Sequence, residues 1–253
     1  MRPVIKWCVG HAFNRGGNAE TVTEHYLPYG SANSVLQLNL DHFCSYCEVF
    51  SSDLEVEHVI SKEQDSSKKT EWNNFLLACG RCNGKDNKSN KHVDLDNIYL
   101  PHSHNTLYIF EYKEGGLVDI HPQVSHKDQL TKANALMDLV GLDKYPGNKK
   151  YPATKKHPLG FPENDKRWEH RRAAWEKAKR KLEAFERSEI DANTVAKFAQ
   201  ERGFFSVWAS VFYAHPVVIS EIVSLFKGTD TTCFDSTSYN SIPRNPKNTS
   251  DPI

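Results

Sequence analysis

Four cysteines stand as two Cys-x-x-Cys pairs, Cys44-Ser-Tyr-Cys47 and Cys79-Gly-Arg-Cys82, with 31 residues between them. Each pair can put two thiolates on one face of a tight turn. Two such turns complete a tetrahedral set of four thiolates, the ligand chemistry of structural Zn2+, which closes every coordination position and leaves none for a substrate. A simple zinc ribbon separates its pairs by roughly 15–20 residues, so something substantial is inserted here. The insert carries Glu57-His58 within LEVEHVI (54–60) and then Trp72-Asn73-Asn74. Directly after the last cysteine comes Asn83-Gly-Lys-Asp-Asn87-Lys88. Cys8 and Cys233 stand alone and read as ordinary thiols.

The order Cys-x-x-Cys, Glu-His, Asn, Cys-x-x-Cys-Asn resembles the HNH nucleases that carry structural zinc, and Asn74 to Asn83 spans the nine residues of that pattern. The resemblance implies a ββα-metal module. In it, Glu57 is a metal ligand, His58 the general base, Asn74 the residue that orients His58, and Asn83 the second metal ligand. Asn87, one helical turn further on, would support the metal directly or through water. Two departures stand out: Glu57 replaces the commoner Asp, and the third motif letter is Asn rather than His. A site of Glu57, Asn83 and water is hard and oxygen-lined, which suits Mg2+ or Mn2+. His58, with an ordinary pKa near 6.5, could take a proton from water near neutral pH. Strand alternation sends Glu57 and His58 to opposite faces. Both serve one site only if the strand bends or ends there.

The elements that must hold these groups are legible as periodicity. LEVEHVI (54–60) and NFLLAC (74–79) read as strands, as does 107–112, ended by Gly115-Gly116. Ser31 is placed to cap a helix through Leu40. Helices are expected over 127–140, 165–186, 191–213 with a break at Gly203, and 216–226. On the 165–186 helix, Trp168, Trp175, Ala178, Leu182 and Phe185 form the expected core stripe. The resulting class is α+β: an HNH module with its four-cysteine zinc clamp, then a mainly helical C-terminal region. The expected divisions are an irregular or helical N-terminal extension (1–40), the nuclease module (41–100), a helical region for partner or nucleic-acid docking (101–228), and a flexible tail (229–253).

The 32 basic and 32 acidic side chains cancel. A chain that gripped DNA through bulk charge would be clearly basic. The charge is uneven, however: residues 149–181 hold twelve Lys/Arg against four acids. Lys85, Lys88, Arg171 and Arg172 are the expected phosphate contacts; the alternative is a solvated, salt-bridged helix face. Phe204, Phe205, Val207, Trp208, Val211 and Phe212 read as core, or as a protein interface. No apolar run approaches the ~18 residues that span a bilayer, so no membrane association is expected. The N-terminus lacks the apolar length of a secretory signal, so the cytoplasm is expected, where paired cysteines bind metal rather than form disulfides.

LEVEHVISK and WNNFLLACGRCNGK are also similar to HNH proteins of Septu- and retron-type antiphage systems, a resemblance that implies an ATPase partner docked on the helical half. The function expected from the sequence is metal-dependent hydrolysis of DNA. A catalytically silent, zinc-stabilised binding module and an RNA-cleaving nuclease are the alternatives.

Overall fold

The computed structural model describes residues 1–248 and 250–253. The chain opens with a hairpin, β1 (Ala12–Arg15) and β2 (Asn18–Thr21), turned by Gly16-Gly17 with φ of 59° and 90°. Sequence reading expects this stretch to be irregular, although Gly-Gly between short runs is a hairpin signal. Helix α1 (Ala32–Leu40) follows and delivers the chain into the first cysteine pair. Ser31 does not cap it through its side chain; its hydroxyl donates to the Pro28 carbonyl instead.

The central unit is small. Strands β3 (Glu55–His58) and β4 (Phe75–Ala78) pair antiparallel, with Glu57 opposite Leu76 and His58 opposite Phe75. One turn of helix, α2 (Gly80–Asn83), follows at once and completes the ββα order. β4 is buried on both faces, so its run of apolar residues is a core strand rather than an alternating one.

Beyond it, the segment expected as one strand divides into a helical turn, α3 (Thr106–Ile109), and β5 (Phe110–Lys113). Asn105 causes the division: its side-chain oxygen accepts from the amides of Leu107 and Tyr108 and starts the turn. β5 forms a second hairpin with β6 (Leu117–Ile120). In its turn, Gly116 has φ of 76°, and a Cβ there would lie 2.3 Å from the Trp168 carbonyl oxygen. Only glycine lets this hairpin lie so close to the long helix.

The remaining helices are α4 (Lys127–Val140), α5 (Arg167–Glu186), α6 (Ala192–Arg202), α7 (Phe205–Val211) and α8 (Pro216–Leu225). Gly141 ends α4 in the left-handed conformation and Gly203 separates α6 from α7. The expected α+β class, with a ββα unit and a helical C-terminal half, is the architecture the chain adopts.

Of the stripe expected on α5, Ala178 is buried, and Trp175, Leu182 and Phe185 pack partly buried against the core. The fully buried positions add three that were not expected, Arg167, Arg171 and Ala174. Two guanidiniums can be buried because acceptors await them. Arg167 donates to the carbonyls of Val140 and Gly141, and Arg171 to those of Leu142 and Gly116. These include the orphan carbonyls at the negative end of α4, where cations are favourable.

One apolar cluster runs from Met1 through the ββα unit to Val207 and Ile253; a second joins Phe43 to α5–α8. Phe204, Phe205, Val207, Trp208, Val211 and Phe212 all lie in core, so they present no free docking face. Described residues of the segment expected as a flexible tail make contacts with the rest of the fold. Asp251 meets Tyr99 and Lys132, and Asn105 donates to Cys233, Ser241 and Ile242. Among the described residues, no helix is long and apolar enough to cross a membrane.

Candidate active site and metal centre

The four cysteine sulfurs lie within 4.8 Å of one another, and Cys47 and Cys79 are 3.6 Å apart. Tetrahedral Zn–S bonds of about 2.3 Å separate sulfurs by slightly less than 4 Å, so the set fits a zinc ion. Each pair sits on a tight turn. The first is closed by Glu48, whose amide donates to the Cys44 carbonyl. The second is the start of α2, where the Asn83 amide donates to the Cys79 carbonyl. Four thiolates on Zn2+ leave a net charge of −2. Part of it is met by Arg167, whose Nη1 donates to Cys82 Sγ at 3.2 Å while Asp165 holds the same guanidinium from its other edge. Nothing in the sequence marks Arg167 for this place, because a donor to sulfur from 85 residues away leaves no local pattern.

His58 lies at the end of β3 and lines a polar cleft of about 160 Å3 with Tyr29, Ser61, Lys62, Glu63, Asn83 and Ser89. Its Nε2 is 2.9 Å from the Lys69 carbonyl. A carbonyl only accepts, so Nε2 carries the proton and Nδ1 keeps the lone pair of the neutral ring. Tyr29 and Phe75 pack edge-on against the imidazole at 4.8 and 5.1 Å. Burial lowers the pKa of His58 from its ordinary 6.5, the Lys69 carbonyl opposes this, and the Lys62 and Lys88 charges reinforce it. The ring is therefore neutral at pH 7, the state a proton acceptor needs.

Asn74 does not touch the imidazole. It grips the backbone of the loop instead, accepting from the Ile60 amide and donating to the Ile60 and Lys68 carbonyls. It thereby fixes the segment that presents Lys69 to His58. Positioning is indirect, through one residue of backbone.

Glu57 points away from His58, as alternation requires when β3 stays straight to its end. It is fully buried; Tyr46 donates to Oε2 at 2.8 Å, and Lys88 Nζ lies 2.6 Å from Oε1 as a close ion pair, not an aligned hydrogen bond. Lys88 also donates to the His58 carbonyl. Asn87 is buried between the Arg81 carbonyl and the Lys144 ammonium. Of the three expected ligands for a catalytic cation, only Asn83 lines the cleft, and its amide donates to Glu55 at 2.7 Å. The Glu57–Asn83–Asn87 set therefore does not fit a single ion. The oxygen donors at or beside the cleft include Asn83, its partner Glu55, Glu63, Asn90 and the hydroxyls of Ser61 and Ser89.

The expected phosphate contacts divide similarly. Lys88 and Arg171 are about 1% exposed and spent on internal acceptors, which corrects the expectation that they meet nucleic acid. Lys85 and Arg172 are exposed, Arg172 lying over the Trp168 ring. Sequence reading misses Tyr29, Lys62 and Glu55. Only Lys62, four residues beyond His58, had a positional hint.

Residues 44–89 match the family model described as HNH endonuclease. No curated protein matches the chain. The matched span begins at the first cysteine and ends one residue after Lys88, so it takes in both cysteine pairs, the buried ion pair and the histidine of the cleft. The chain carries an HNH endonuclease domain at residues 44–89, with four cysteines positioned to hold a metal ion.

Proposed function

We propose that this chain is an endonuclease that hydrolyses phosphodiester bonds of DNA, with His58 as general base. The observation that carries the reading is the fixed tautomer of His58: Nε2 is tied to the Lys69 carbonyl, which leaves Nδ1 basic beside a polar cleft. In the reaction, a water oxygen forms a bond to phosphorus while its proton passes to Nδ1. The bond from phosphorus to the 3′ oxygen breaks, and that oxygen takes a proton from solvent. The family uses divalent metal ions, and a bound Mg2+ or Mn2+ would neutralise charge on the phosphate. Asn83 is the expected ligand best supported by its position. Structural Zn2+ belongs to the cysteine set, and Lys85 and Arg172 are the remaining candidates for backbone contacts.

The test incubates the purified full chain, with Mg2+ or Mn2+, with plasmid DNA, linear duplex and RNA, beside His58→Ala. Cleavage of DNA by the wild type alone supports the reading. Cleavage of RNA alone replaces DNA as the substrate, and binding without cleavage by either protein favours a silent binding module.

A role as the nuclease of an antiphage system with an ATPase partner rests on the likeness of LEVEHVISK and WNNFLLACGRCNGK. Co-purification with an ATPase encoded beside it is the expected outcome.

A further inference from the structure

Lys62 is the cation of the cleft with no carboxylate assigned to it. Its ammonium lies 5.0 Å from the centre of the Tyr29 ring, and Tyr29 packs edge-on against His58 at 4.8 Å. Among the described residues, no carboxylate lies within 4.0 Å of its Nζ. Lys88, by contrast, is consumed by Glu57.

The backbone that carries Lys62 is held on both sides. Asn74 clamps Ile60 through its amide and carbonyl. Gln64 exchanges two hydrogen bonds of 2.8 Å with the backbone of Val93. Between these clamps, the Ser61 carbonyl accepts from the amides of Gln64 and Asp65. A side chain on so constrained a loop, resting on an aromatic face, presents its charge at low reorganisation cost.

We propose that Lys62 is a further catalytic residue, its ammonium donating to a non-bridging oxygen of the scissile phosphate while His58 takes the proton of the attacking water. The inference rests on the nuclease reading and adds one contact to it. An ammonium there gains value as negative charge gathers on the phosphate oxygens, so it acts on the rate more than on affinity. Tyr29 serves as the shared wall that keeps imidazole and ammonium at a constant spacing.

Two measurements on the full chain separate this inference from the reading beneath it. In single-turnover cleavage of a duplex, Lys62→Ala should lower the rate about 100-fold. The duplex dissociation constant should change less than threefold, and Lys62→Arg should recover most of the rate. The second measurement needs no activity. His58→Ala protein is treated with an amine-acylating reagent, with and without duplex DNA, and labelling at Lys62 is read by mass spectrometry. Protection by DNA supports the contact even if the wild type proves a silent binder. Equal labelling at Lys62 with and without DNA overturns the proposal. So does a Lys62→Ala rate within threefold of wild type, or an equal loss in Lys62→Ala and Lys62→Arg.

Discussion

Arg167 donates to the Cys82 sulfur at 3.2 Å, which ties the first turn of α5 to the metal centre of the ββα unit. The guanidinium also pairs with Asp165 and satisfies the last carbonyls of α4. Three elements thus meet at one buried cation. Replacing it by Met leaves Asp165 buried and unpaired, a loss expected at about 3 kcal/mol. Arg167→Met should therefore lower both the melting temperature and zinc retention against a chelator, measured by calorimetry and by metal content.

Zinc removal itself should have a larger effect. Structural zinc contributes folding energy directly, so Cys44→Ser or Cys82→Ser should yield protein without zinc and with a broadened or lost unfolding transition. Native-like cooperative unfolding in metal-free Cys→Ser protein would argue against a structural ion.

Glu57 and Lys88 form a buried pair, and breaking one partner strands the other. Glu57→Ala should cost about 3–5 kcal/mol, whereas Glu57→Ala combined with Lys88→Met should recover much of it. Urea titration of the two single variants and the double variant measures this coupling. Additive losses would mean that the 2.6 Å contact carries little energy.

His58→Ala should leave zinc content and melting temperature near wild type and reduce cleavage by roughly 10²–10⁴-fold, the usual worth of a positioned general base. Asn74→Ala should act differently. It removes three hydrogen bonds from the 60–68 loop, so hydrogen exchange at the Ile60 amide should quicken along with the loss of rate.

Acid should destabilise the fold through two other histidines. Burial pushes His102 down to about 3 and His104 down to about 4 from an ordinary 6.5. Both stay neutral in the fold, while the unfolded chain takes up their protons below 6.5. Stability is thus unaffected above that pH and falls between it and about 4, by up to roughly 1.4 kcal/mol per pH unit for each histidine. Melting temperatures from pH 7.5 to 5 should show the decline, and His104→Gln should flatten it.

The local pattern of the sequence located the metal pairs, β3, β4 and the ends of α4, since each is written in adjacent residues. Cys-x-x-Cys spacing, apolar runs and Gly141 are signals of short range. Direction was harder to read. Glu57 precedes His58 by one residue, yet the two face opposite ways, and their partners, Lys88 and Lys69, are set by the closing of the loop. Arg171 looked like a surface charge, and Arg167 carried no signal of its burial, because their acceptors, a thiolate and backbone carbonyls, arrive from distant parts of the chain. The stretch after Thr229 looked frayed by composition because partners such as Tyr99, Asn105 and Lys132 lie more than a hundred residues away.

Glu48 accepts from the amide and hydroxyl of Ser206, and Cys82 receives its donor from residue 167. A ribosome that has released only the first hundred residues has therefore made every cysteine of the metal set, but neither Arg167 nor Ser206, the two groups that reach this unit from the helical half. The surroundings of the four cysteines are thus completed during translation only when residues 167 and 206 arrive.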